Sequence, residues 1–146
     1  MKLSSLADYA IVLMGAAARH CGGVRVSAAM LAAETGVPVP TAQKIVSLLT
    51  RAGLLRATRG TGGGIQLARP AAAISLADIV EAIEGPIAMA ACVDVGRTEG
   101  SAQCALEGSC KVQPHWGAVN GAIKSALGQV SLASLSRDHN TTGAAA

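Results

Sequence analysis

Cys92, Cys104 and Cys110 are three of the four cysteines in a chain of 146 residues, and all three lie within CVDVGRTEGSAQCALEGSC. Eleven residues separate the first pair and five separate the second. Thiolates at such spacing can converge on one soft metal centre, either zinc or an iron–sulfur cluster. Structural zinc sites draw on close C-x2–4-C pairs, and this stretch has none. The wider gaps suit a cluster, whose irons are separated and take ligands from several directions. A redox thiol switch and three independently buried cysteines are the other readings of the same residues. Three thiols leave one coordination position open, for which His115, five residues beyond Cys110, and Asp8 are the candidates. A lone histidine beside Trp116 serves equally as a structural residue, and Asp8 equally as a first-turn carboxylate favoured by the helix dipole. Cys21, at a helix end before two glycines, reads as a small packing residue.

The rest of the chain limits what those thiols can be for. Half of the residues are apolar, mostly alanine, leucine and valine, with no Phe, one Trp and one Tyr. Small side chains bury little area each, so a helical domain of this size is expected to complete its core by dimerising. No apolar run approaches the ~18–20 residues of a membrane helix, and MKLSSLADYA lacks the apolar run of a signal peptide. A cytoplasmic location is expected, with no membrane partner. In a reducing compartment clustered cysteines are more often metal-binding or redox-active than disulfide-bonded.

Apolar spacing predicts the elements that position the loop. Residues 4–20 read as a helix capped by Ser4 or Ser5, with Leu6, Tyr9, Ala10, Leu13, Met14 and Ala17 on its buried side. VRVS (24–27) is extended, and Ser27 caps a second helix that ends at Gly36. Pro40 fits the first turn of a third helix, TAQKIVSLLTRA, with Ile45, Val46, Leu48, Leu49 and Ala52 on one face. LLRAT (54–58) and IQLA (65–68) read as strands around a glycine-rich tip, RGTGGG. Ser75 caps a fourth helix with Leu76, Ile79, Val80 and Ile83 as its buried side, ended by Gly85-Pro86. Residues 87–112 show no periodicity. A long helix then starts near Pro114, with a stripe of Trp116, Val119, Ile123, Leu127 and Val130, and a short SLASLSR segment follows. Loops of about 25 residues without secondary structure tend to be functional or disordered.

The order helix, short strand, helix, helix, glycine-tipped hairpin predicts a winged helix-turn-helix: a mostly α fold with a small β wing. The expected organisation is a DNA-binding domain over 1–84, a cysteine-bearing loop over 85–112, a dimerisation helix and short final helix over 113–137, and a disordered tail over 138–146. In that motif the helix at 41–52 enters the major groove. Its outward face carries Thr41, Gln43, Lys44, Ser47 and Arg51, the first two suited to base edges and the cations to phosphates. The wing adds Arg56, Arg59 and the bare backbone of Gly60 and Gly62, and Lys2 is a further phosphate contact. Each charge alone reads equally as a solvated surface residue. The stronger signal is their grouping, since no Asp or Glu lies between Glu34 and Asp78. Double-stranded DNA is therefore the expected partner. Nothing resembles a nucleophile–base pair or a phosphate loop, so neither an enzyme nor a small-molecule substrate is expected.

The opening KLSSLADYA, the wing RGTGGGIQLARP followed by ISLADIVEAIEG, and the three-cysteine loop closing on a helix resemble the IscR/NsrR/RirA family over residues 1 to about 137. These are bacterial winged-helix regulators that carry iron–sulfur clusters. CALEGSCKVQPHWGAVNGAIKSALGQVSLASL is similar to the branch that regulates the SUF iron–sulfur assembly system. The resemblance implies a homodimer built on the long C-terminal helix. It implies one iron–sulfur cluster per subunit, 2Fe-2S or 4Fe-4S, held by Cys92, Cys104 and Cys110 near the dimer interface. Asp8 of the partner subunit is the implied fourth ligand, with His115 as the alternative. The chain departs from the family pattern in the eleven-residue gap between Cys92 and Cys104, in Gln113 in place of a ligand histidine, in Gln43 in place of a glutamate that reads the operator, and in Thr61 and Ile65 in place of a wing proline and an aromatic. The expected function is a repressor of iron–sulfur assembly genes whose operator binding is switched by gain or loss of the cluster. A zinc- or thiol-based redox repressor and an iron–sulfur carrier are the alternatives.

Overall fold

Ser4 starts the first helix by accepting a hydrogen bond from the Ala7 amide at 3.1 Å, so α1 runs over Ser5–Arg19. In the computed structural model the described residues are 2–20, 22, 24–96, 104–106 and 108–138. Ser27 caps α2 (Ala28–Thr35), accepting from the Met30 amide at 3.1 Å. Gly36 ends that helix at φ 78°, a left-handed conformation that costs glycine nothing. With Pro40 in its first turn, α3 (Val39–Arg51) begins two residues earlier than the apolar pattern suggests.

β1 (Leu55–Thr58) and β2 (Gly64–Leu67) pair antiparallel, Leu55 opposite Leu67 and Thr58 opposite Gly64. The extended VRVS piece adds a third, one-residue rung. Val26 and Ile65 exchange backbone hydrogen bonds of 3.4 and 2.7 Å. A 3-10 turn at Ala71–Ala73 leads into α4 (Leu76–Glu84), whose start is a reciprocal capping box of Ser75 and Asp78. The long segment that follows is not wholly without structure, because Ala91–Val93 makes one 3-10 turn. Two helices close the chain, α5 (Gln113–Gln129) and α6 (Leu132–Asp138). The expected tail therefore starts inside α6 at Asp138, and its remainder, like Cys21, lies outside the described residues.

The core gathers Leu13 and Met14 of α1, Leu31 of α2, Ile45 and Leu49 of α3, Ile74, and Ile79 of α4, all at most 1% exposed. SLASLSR joins them as α6. The Leu132 amide donates to the Ile74 carbonyl at 2.7 Å, the Leu76 amide to the Val130 carbonyl at 2.9 Å, and Leu132 is fully buried. Tyr9, expected inside, is exposed instead. The face that packs is Ala7, Ala10, Leu13, Met14, Ala16 and Ala17, because small side chains let neighbouring helices approach where a ring would not fit. Leu48, Leu76 and Ile83 are half-buried at the margins of their faces. No residue of α5 is buried: Trp116, Ile123 and Leu127 are half-buried, as is Val130 just beyond its end, and Val119 is exposed.

The C-terminal ends of α1 and α2 are clamped by charge. Glu34 accepts from Arg19 Nη2 at 2.6 Å and contacts His20 Nε2 at 2.7 Å. The His20 hydrogen bond, then that of Arg19, holds the Glu34 carboxyl below its ordinary range. A depressed carboxylate stabilises above its unfolded pKa, about 4.3, and loses that stabilisation as pH falls through the lower folded value. The group is largely solvent-screened, so Glu34→Gln is expected to cost at most about 1 kcal/mol at pH 7. The cost should shrink towards zero in melts run well below pH 4, where both forms are neutral.

Candidate nucleic-acid interface and cysteine loop

The amphipathic pattern of α3 divides it cleanly. Ala42, Ile45, Val46 and Leu49 are buried, while Gln43, Lys44, Ser47 and Arg51 are exposed on the opposite side. Thr41 is half-buried at the edge of that face. No side-chain hydrogen bond caps the start of α3, which leaves its first-turn amides for another acceptor. Arg56 and Arg59 are exposed on the wing, as are Gly60 and Gly62 at φ 91° and 75°. A hydrogen bond of 2.8 Å from the Gly63 amide to the Gly60 carbonyl closes the tip, and an added Cβ at Gly63 would sit 2.8 Å from that same oxygen. A close approach of this kind needs glycine.

Among the described residues Lys44, Arg51, Arg56 and Arg59 form no ion pair. The acidic groups nearest in sequence are already engaged, Glu34 with Arg19 and His20, and Asp78 with Arg69 at 3.8 Å. Four cations without carboxylate partners give this face a positive field that suits a polyanion. Lys2 is exposed two residues before Ser4, whose amide is held by Glu84 Oε1 at 2.8 Å. The hydrogen bonds from Ser4 keep Glu84 below the usual carboxylate range. Arg25, which no motif singled out, reaches the wing and donates to Thr58 Oγ1 at 2.9 Å and to the Gly62 carbonyl at 2.6 Å.

The cysteine loop leaves the DNA-binding core at α4 and ends at α5. Asn120, on α5, accepts from the Met89 amide at 3.0 Å and donates to the Ile87 carbonyl at 2.9 Å. Glu81, on α4, takes Lys124 Nζ at 2.8 Å and the Ile87 amide at 3.3 Å. These side chains fix the joint between the two helices, a role that spacing alone could not reveal because each pair is formed across the fold. Cys92, in the 3-10 turn, and Cys110 are half-buried free thiols, and Cys104 is an exposed one. Asp8 is exposed in the first turn of α1, and His115 in that of α5. The structure does not bring these groups together: among the described residues no three His, Cys, Asp or Glu side chains form a metal-holding group. The donors nonetheless fit a cluster in kind, being three free, accessible, soft ligands on one anchored loop.

A three-helix core carrying a hairpin wing, with an uncapped and carboxylate-free basic helix on its surface, is a DNA-binding protein of the winged helix-turn-helix class. A family model described as Rrf2, iron-dependent transcriptional regulator, matches residues 3–138. The chain belongs to the Rrf2 family of transcriptional regulators, which is not a family of enzymes. It is 41% identical over 86 residues to the HTH-type transcriptional regulator IscR of Cereibacter sphaeroides, covering 58% of this chain and 56% of that one. Over 135 residues it is 30% identical to IscR of Xenorhabdus nematophila, covering 92% and 79%. Among solved structures it is similar to T. potens IscR, with a TM-score of 0.72 at 25% identity, covering all of this chain and 93% of that one. CymR of B. subtilis, the global cysteine regulator, gives a TM-score of 0.71 at 25% identity, covering 94% and 97%. No helix among the described residues is long and apolar enough to cross a membrane.

Proposed function

We propose that the chain is a cytoplasmic, homodimeric repressor of iron–sulfur assembly genes, whose operator binding is switched by gain or loss of an iron–sulfur cluster, 2Fe-2S or 4Fe-4S, one per subunit. The observation that carries this reading is the placement of the thiol loop. It is inserted between the helix that closes the DNA-binding core and α5, and Asn120 and Glu81 clamp that joint. Cys92, Cys104 and Cys110 would hold the cluster, with Asp8 of the partner subunit as the fourth ligand and His115 as the alternative. When bound, the cluster supplies a tie between subunits that is sensitive to iron supply and to oxidants.

The chain's own residues do the rest. Thr41, Gln43 and Ser47 meet base edges, while Lys2, Lys44, Arg51, Arg56 and Arg59 and the Gly60–Gly62 backbone meet phosphates. The unburied α5 carries the second copy, so the angle at the α4–α5 joint sets the separation of the two α3 helices. Half-sites lie about 34 Å apart, one DNA turn, and a dimer binds both only when that separation matches. Holding Cys92, Cys104 and Cys110 together fixes the angle and releasing them frees it. A ~100-fold change in affinity corresponds to about 2.7 kcal/mol of coupling, within the ordinary range for linked sites.

Binding to promoter duplexes across a salt series tests the DNA half of this reading. Affinity is expected to fall steeply with salt, with a log–log slope of about −0.9 for each neutralised phosphate, and Arg59→Ala is expected to reduce that slope by about one. No binding to any duplex at low salt would overturn it. A thiol-based switch without a cluster is the second reading, favoured by the exposure of Cys104 and by the likeness to CymR. Iron and sulfide analysis of anaerobically purified protein separates the two. Cluster-loaded protein indifferent to every promoter would instead indicate a carrier.

A further inference from the structure

Arg25 is exposed, yet its charge is turned onto the protein's own wing rather than towards a carboxylate. It sits on the short strand before α2, paired with β2 through the Val26–Ile65 bridge. Its Nη1 donates at once to Thr58 Oγ1, at the end of β1, and to the carbonyl of Gly62, in the tip. Thr58 Oγ1 in turn donates to the Gly64 carbonyl at 3.5 Å, so one guanidinium ties both arms of the hairpin. The stem of Arg25 also lies against the start of β2. A Cβ at Gly64 would come within 2.8 Å of Arg25 Cβ and 3.2 Å of the Val26 carbonyl. The wing tip itself has one internal backbone hydrogen bond, from Gly63 to Gly60, and several glycines, so it has little stiffness of its own.

We propose that Arg25 is a positioning residue for DNA recognition: it braces the wing against the strand that enters α2, so that Arg56, Arg59 and the glycine tip keep a fixed pitch relative to α3. This rests on the DNA-binding reading above and adds to it the part that sets the wing's reach. A charged donor serving two acceptors, one on β1 and one in the tip, holds both in one geometry more firmly than a neutral pair. Without it the wing keeps its residues but loses a single bound orientation, and ordering it on DNA then weakens binding.

Five proteins test the brace: the unmodified chain, Arg25→Gln, Arg25→Lys, Thr58→Val and the double variant Arg25→Gln/Thr58→Val. Thr58→Val changes no charge and keeps a β-branched side chain that suits a strand. Arg25→Gln is expected to weaken operator binding about tenfold and Thr58→Val about threefold, with the double variant no weaker than Arg25→Gln alone, as coupled positions require. Hydroxyl-radical protection should vanish where the wing meets the duplex and persist in the major groove under α3. In the free proteins, amide exchange over residues 58–66 should be faster in every variant. If Arg25→Lys and Thr58→Val both bind as the unmodified chain does while Arg25→Gln is weak, Arg25 is a plain phosphate contact and the brace is refuted. Unchanged exchange over the wing refutes it as well. Should the unmodified protein bind no duplex, the DNA reading fails, and exchange over the wing still decides whether Arg25 braces it.

Discussion

Cys92→Ala is expected to yield protein that no longer retains iron or sulfide on anaerobic purification, and whose operator affinity differs by about 100-fold from that of the loaded dimer. Cys92 lies two residues beyond Ala90 and three beyond Met89, whose amide is held by Asn120, so it is the thiol closest to the clamped end of the loop. Removing it leaves the loop attached to α5 while the first proposed ligand is lost, which isolates the ligand role from the structural one. Cys110→Ala should behave alike, since both thiols are half-buried at opposite ends of the segment. Asp8→Ala is expected to keep the cysteines' ligand set and shorten only the lifetime of the bound state, because a carboxylate is the weakest donor of the proposed four. Visible absorbance followed under air, and duplex affinity measured before and after its loss, read both effects. Protein that is colourless in every form and holds zinc would sink the cluster, while an oxidant-sensitive affinity without iron would support the thiol switch.

Leu132→Ala is expected to damage the fold severely. Leu132 is fully buried, and its amide is bonded to Ile74, so truncation leaves a cavity that the backbone cannot readily close. Such losses cost about 2–5 kcal/mol, a large share of the roughly 5–15 kcal/mol that holds a domain together. A fall in melting temperature on the order of 10 °C follows for a chain of this size. Val95→Ala, at a position 86% exposed, is the control and should stay within about 0.5 kcal/mol. Protein concentration must be held fixed, because the proposed dimerisation would make the melting temperature depend on it. A Leu132→Ala protein melting with the control would mean that α6 is not part of the folding unit. The physical consequence of the packed α6 is that the middle and the C-terminal end of α5 are tied to one body. Asn120 and Lys124 hold the middle, and the Ser75–Ser131 bridge holds the end.

Local chemistry made much of this protein legible. Ser4, Ser27 and Ser75 announce three helix starts, because a hydroxyl before an apolar period satisfies amides that the helix cannot. Gly36 and the glycine-rich tip mark a turn and a wing because only glycine takes their backbone angles without strain. The polar face of α3 follows from helical period and charge alone, and the structure leaves each of its cations exposed. What the sequence could not settle were contacts between residues far apart in the chain. Tyr9 has the right period for the core, yet an alanine face packs in its place, since the neighbouring helices decide how closely a surface is approached. SLASLSR shows only a short apolar pattern and is a core helix, because Ile74 and Leu132 lie 58 residues apart and meet only in the fold. Asn120 and Arg25 belong to no motif, and their roles exist only where α5 crosses the loop and the short strand crosses the wing. The sequence by itself determined which residues are candidate ligands and which carry charge, through residue type and spacing. The tertiary structure alone decided which of them are held and by what, because burial and long-range hydrogen bonds depend on the packing of the whole chain.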